Sequence, residues 1–102
     1  MLDNKDLDVT YSESDTKGRY GVAVAGFTSE AELTISKVTD HLVIADHTFV
    51  PKELRGRGIA QALAAQLIAD ARAKQQRIVP LCPFLRAYAQ SHREELSDVV
   101  QW

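Results

Sequence analysis

Val50-Pro51-Lys52-Glu53-Leu54-Arg55-Gly56-Arg57-Gly58-Ile59-Ala60 turns a β-branched apolar run into an alanine-rich helix through two glycines and two arginines. The first backbone N–H groups of a helix lack intrahelical partners, and with the helix dipole they favour an anion held against them. Gly56 and Gly58 let the backbone approach such an anion with no Cβ in the way, and Arg55 and Arg57 add positive charge. The same spacing also describes an ordinary strand-to-helix loop with solvated arginines. The segments on either side decide what the loop connects.

Upstream, the chain reads as strands separated by turn residues. Val9 to Ser14 alternates weakly as a short edge strand, Asp15 to Gly18 turns, and Arg19 to Ala25 places Tyr20, Val22 and Val24 on one face. After a turn at Gly26 to Glu30, Ala31, Leu33 and Ile35 alternate with Glu32, Thr34 and Ser36, the pattern of a half-buried strand. Thr39-Asp40-His41 turns again. Leu42 to Val50 is then apolar on both faces except at Asp46, His47 and Thr48, which predicts a central strand covered on both sides. Three short turns make these strands an antiparallel meander.

Downstream of the loop, Ile59, Leu63, Leu67 and Ala71 recur at helical spacing, with Ala60, Ala64 and Ile68 widening the stripe. The helix is expected to end near Gln75 or Gln76, and Arg77 to Cys82 reads as a further strand. Strand, helix and strand in succession imply a right-handed crossover, with the last strand parallel to Leu42–Val50. Pro83 opens a short final helix over Phe84 to His92, with Phe84, Leu85 and Tyr88 facing inward. The fold class is therefore α/β (α+β), a mixed and mainly antiparallel sheet with a βαβ crossover helix and a short C-terminal helix. Pro80 conflicts with a regular strand, because it removes a ladder donor. Either it sits on an edge or at a bulge, or the two parallel strands part there and leave main-chain groups free for an extended ligand.

The chain has 102 residues, is 45% hydrophobic and carries a formal net charge of −2, so residues 1–102 are expected to form one globular domain. That charge argues against a nucleic-acid binder working through bulk electrostatics. Cys82 is the lone cysteine, which excludes an internal disulfide and a cysteine-rich zinc site and favours a reducing compartment. Residues 1–8 are acidic and lack the apolar core of a signal peptide, and no apolar run reaches membrane-spanning length. A cytoplasmic protein with no bound metal and no membrane partner is the expectation.

Arg55-Gly56-Arg57-Gly58-Ile59-Ala60 also resembles the pyrophosphate-binding motif of the GNAT superfamily of acyl-CoA N-acyltransferases: Arg or Gln, two residues, Gly, one residue, Gly or Ala. Asp46 to Pro51 before it, Pro80 to Phe84 after it, and Tyr88 with Ser91 and His92 are similar to segments of very small, single-domain members. The resemblance runs over residues 8 to 98. It implies acetyl-CoA as co-substrate, with its diphosphate on the amides around Arg55, Gly56, Arg57, Gly58, Ile59 and Ala60, and its pantetheine arm beside Val50 in a splay between the parallel strands. The thioester would lie near His47, Cys82 and Tyr88. Arg93 and Glu95 depart from the subgroup, where a proline and an aromatic are common.

Moving an acetyl group from a thioester to an amine needs a neutral amine, a donor for the developing oxyanion and a proton for the departing thiolate. A strand N–H near Thr48 or Phe49 suits the oxyanion, and the imidazole of His47 is a side chain able to take the amine's proton, directly or through water. Cys82 is either a pocket residue in direct transfer or, paired with His47, an acetyl carrier. Tyr88 matches a family tyrosine that protonates the thiolate. Larger members carry helices between their first strands, for which this chain has no room, so the acceptor cleft is expected to be open. An open cleft suits an exposed amine of a peptide or protein, or a polyamine, unless a homodimer supplies the wall. A non-catalytic CoA-binding module, or an interaction domain using Arg55 and Arg57, is the alternative.

Overall fold

Ala31, Leu33 and Ile35 are fully buried, and the sheet is assembled around them. The computed structural model describes residues 8–102; the reading of residues 1–7 as part of a leaderless N-terminus lies outside them. Strands β1 (Val9–Glu13), β2 (Lys17–Ala23), β3 (Glu30–Thr39), β4 (Leu42–Phe49) and β5 (Arg77–Pro80) lie in sequence order in one sheet. The first four pair antiparallel, while β4 and β5 are parallel. Helix α1 (Ile59–Ala73) makes the crossover between them, and α2 (Pro83–Ser91) follows. This is the mixed, mainly antiparallel architecture expected from the sequence. β2 starts inside the expected turn, because Ser14 N–H closes a tight turn on the Lys17 carbonyl at 2.8 Å.

Register shows which residues share a face. Tyr20 pairs with Leu33 and Leu33 with Thr48; Val22 pairs with Ala31, and Ile35 with Ala45. Val43 faces Ile78 and Ala45 faces Pro80 across the parallel pair. All the fully buried apolar strand side chains stand on this one face. Ile59, Leu63, Leu67 and Ala71 of α1 and Leu85 and Ala89 of α2 complete the same core. Removing the centre of this interface with Leu33→Ala is expected to cost ~2–5 kcal/mol, measurable as a lower urea midpoint with an unchanged slope.

The expectation that β4 is covered on both sides is corrected here. Only Val43 and Ala45 are buried, whereas Leu42, Ile44 and Asp46 are half-exposed. Both helices pack into the one core, and the other face is polar. There Arg19 bridges Glu30 and Glu32 at 3.2 and 2.9 Å, and Ser36 donates to Asp46 at 2.6 Å. Tyr20 ties the covered face to α1 through a 2.8 Å bond to Asp70; burial, and then that carboxylate, push its phenol far above the usual range, so it stays a donor.

The C-terminal segment seals the outer edge of β5. Ile78 N–H donates to Val99 O at 2.7 Å and Gln101 N–H to Ile78 O at 2.8 Å, while Leu96, Val99 and Val100 are buried. Covering an edge in this way removes a template for strand addition. Arg72 fastens the segment by two 3.0 Å bonds to Asp98, and this hydrogen-bonded guanidinium holds the Asp98 carboxyl below the usual range. A depressed folded-state pKa means the contribution is complete above the ordinary carboxylate value and is lost as pH falls through the lowered one. Asp98→Asn is therefore expected to flatten the acid side of the stability profile below about pH 4, read by thermal melts across pH.

Candidate functional site

After β4, Pro51 and Leu54 are buried and anchor a short 3-10 turn at Lys52–Leu54. Arg55 then runs extended, with its Nε donating to Val50 O at 3.1 Å. Gly56 and Gly58 have φ of 81° and 76°, the left-handed region that glycine enters without strain. A Cβ at Gly56 would meet nothing within 4 Å, so conformation and not crowding requires glycine there. Gly58 is the N-cap of α1 and offers no capping side chain, and the first turn contains no acidic residue. Since the first intrahelical donor is Ala62 N–H to Gly58 O at 3.1 Å, the N–H groups of Ile59, Ala60 and Gln61 have no partner within the helix. They line a recess of about 360 Å³ that begins at Val50 and includes Arg55, Gly56 and Gly58. Arg57 turns instead over Phe27, its guanidinium carbon 4.9 Å from the ring centroid, and so pins the β2–β3 turn against the loop.

Upstream of this recess, within β4, the parallel ladder stops. Its last rung is Ala45 with Pro80, while β4 continues to Phe49. Pro80 thus stands where the two strands part and no further ladder donor is needed. The strand expected to reach Cys82 ends here: Leu81 N–H folds back to Val79 O at 3.1 Å, Cys82 N–H crosses to Ala45 O at 2.9 Å, and Cys82 becomes the N-cap of α2 with Pro83 at its first position. The main chain of β4 beyond Ala45 is left without a β5 partner, and it leads through Val50 into the recess.

A β-bulge at the same level re-aims the side chains. Thr34 pairs with His47 but Ile35 pairs with Ala45, which leaves Asp46 as the extra residue. Strict alternation would put His47 on the covered face with Val43 and Ala45. The inserted residue reverses this. Thr48 takes the covered face, where its Oγ1 lies 3.0 Å from Cys82 Sγ, and His47 moves to the open face, exposed and stacked with Phe49 at 6.4 Å between centroids. Cys82 is 2% exposed, with Thr48 as its side-chain partner. His47 and Cys82 are thus not brought together. Tyr88 is half-buried on α2, flanked one turn away on either side by Phe84 and His92. The run of three polar residues at 46–48 in an apolar strand was the only sequence sign of the bulge; the contact of Phe27 with Arg57 had none.

A mainly antiparallel sheet whose parallel strands part at Pro80, with α1 as the crossover and its N-terminus uncapped, is a mixed α/β fold. The family model described as GCN5-related N-acetyl-transferase matches residues 19–99, from β2 through the segment that covers β5, and the chain belongs to that family of acyltransferases. No curated protein matches it. Among the described residues no group of three or more His, Cys, Asp or Glu side chains is placed to hold a metal ion, and no helix is long and apolar enough to cross a membrane.

Proposed function

We propose that this protein transfers an acetyl group from acetyl-CoA to a primary amine by direct attack. The observation that carries the reading is the uncapped N-terminus of α1, whose first-turn residues line a recess that the main chain of β4 enters through Val50. The free amides of Gly58 to Gln61 and the Arg55 guanidinium hold the diphosphate, a charge-assisted arrangement that needs no metal. The main chain from Asp46 to Val50, which has no β5 partner, takes the pantetheine amides as an added strand would. When bound, the donor supplies an activated acyl carbon whose bond to sulfur breaks as the amine adds.

His47, exposed on the open face, removes the proton from the incoming ammonium, directly or through water. A main-chain N–H of the bulged stretch donates to the carbonyl oxygen as it gains charge. Tyr88 gives its phenolic proton to the departing sulfur. The acceptor arrives over the open sheet face, which suits an amine on a peptide or protein, or a polyamine. A reducing, cytoplasmic setting fits the single free cysteine.

Acetyl-CoA incubated with a panel of peptides, polyamines and small amines is expected to release free thiol only when a suitable amine is present. Tight CoA binding without release for any amine would instead make the chain a binding module. Cys82, buried and bonded to Thr48, is a pocket residue in this scheme. Cys82→Ala is therefore expected to keep substantial activity; complete loss, with acetylated enzyme trapped in the parent, would replace direct transfer by a covalent route.

A further inference from the structure

His92 makes two separate contacts with the residue one turn before it. α2 tightens at its end, so His92 N–H donates to Ala89 O at 3.2 Å and not to the carbonyl of Tyr88. The Tyr88 carbonyl is one of the helix-end acceptors that need a partner from elsewhere. The imidazole supplies it, with Nδ1 2.8 Å from the Tyr88 oxygen. A carbonyl only accepts, so Nδ1 carries the hydrogen in this contact. The same ring lies on the phenol of Tyr88, centroids 4.5 Å apart and planes 26° from parallel. Phe84 bounds the phenol at 6.1 Å from the other side.

We propose that His92 is a positioning residue for Tyr88, fixing main chain and ring together so that the phenol is oriented for proton delivery to the departing thiolate. The proposal rests on the acetyl-transfer reading above. In that step the acyl C–S bond breaks, its electron pair stays on sulfur, sulfur takes the Tyr88 hydroxyl proton, and the phenolate regains a proton from solvent. The imidazole takes no part in the exchange. It removes rotational freedom from a side chain whose backbone would otherwise sit at a fraying helix end, and a group held in its reactive orientation gives up less entropy at the barrier.

A double-mutant cycle tests this. Tyr88→Phe is expected to lower kcat by about 10²–10⁴, the range for loss of a general acid. His92→Ala is expected to lower kcat by roughly tenfold to a hundredfold, as misplacement of a reacting group does, with KM for acetyl-CoA unchanged. In the Tyr88→Phe background His92→Ala should cost nothing more, and His92→Phe, which keeps the stack, should recover part of the loss. An equal His92→Ala loss in both backgrounds overturns the proposal and leaves acetyl transfer intact. Nuclear Overhauser contacts between the two rings give a readout independent of turnover: their absence also overturns the proposal. No turnover with any amine, rings in contact, sinks the acetyl-transfer reading and this role with it.

Discussion

Gly58→Val is expected to weaken CoA binding by roughly a hundredfold, equivalent to ~3 kcal/mol, while the protein stays folded. Gly58 sits at φ 76° as the N-cap of α1, and a β-branched residue is strained there. To relieve that strain the peptide rotates, which turns the N–H groups of the first helical turn off the line along which they converge. Each charge-assisted bond lost to a diphosphate is worth about 1.5–3 kcal/mol, so misdirecting one or two accounts for the effect. The cost to the fold is smaller, because Gly58 is exposed and Ile59, the first core residue of the helix, keeps its packing. Strain of about 1–3 kcal/mol leaves most of a domain's stability in place. Calorimetric titration with CoA, alongside circular dichroism of the variant, separates the two quantities. Unchanged CoA affinity in a folded variant would remove the diphosphate from this loop.

His47→Ala carries the second large effect, a loss in kcat/KM of about 10²–10⁴ with CoA affinity unaltered. The substitution lies on the open face, exposed, and touches Phe49 but nothing in the core, so folding should be indifferent to it. An amine acceptor arrives mostly as its ammonium ion and must lose a proton before its lone pair can attack. With the imidazole present, that proton has a fixed destination at moderate pH. Without it, rate depends on the small neutral fraction of amine in solution, and the profile should climb with pH through the whole accessible range. Raising the pH is therefore expected to rescue the variant more than the parent. A variant whose pH–rate profile superimposes on that of the parent excludes His47 as the base.

Much of the scaffold was legible in the sequence because single-residue chemistry fixed it locally. Alternation at Ala31, Leu33 and Ile35 and helical spacing from Ile59 to Ala71 each identified the side that is buried. Pro80 left two explanations open, and the pairing decides for the splay, since the ladder ends at that residue. The C-terminal segment was illegible for a different reason: Val99 and Val100 owe their place to the free edge of β5, a long-range circumstance absent from their own neighbourhood. Coverage of β4 was misjudged because apolar residues on both faces do not require a layer on each. Side-chain direction at the site was the least legible, since it depends on the register of β4 against β3, and no local propensity reveals a bulge.

That bulge places a sharp boundary in strand register. Pairing Asp46 in a ladder without the bulge would set His47 opposite Leu33 in place of Thr48, and deliver an imidazole to the place where the Cys82 sulfur now meets a hydroxyl. A thiol beside a base is the starting point for covalent acyl chemistry, and a thiol beside an alcohol is not. Two catalytic strategies on one scaffold are thus separated by a one-residue shift in pairing, and the register of a strand, more than the identity of its residues, selects between them.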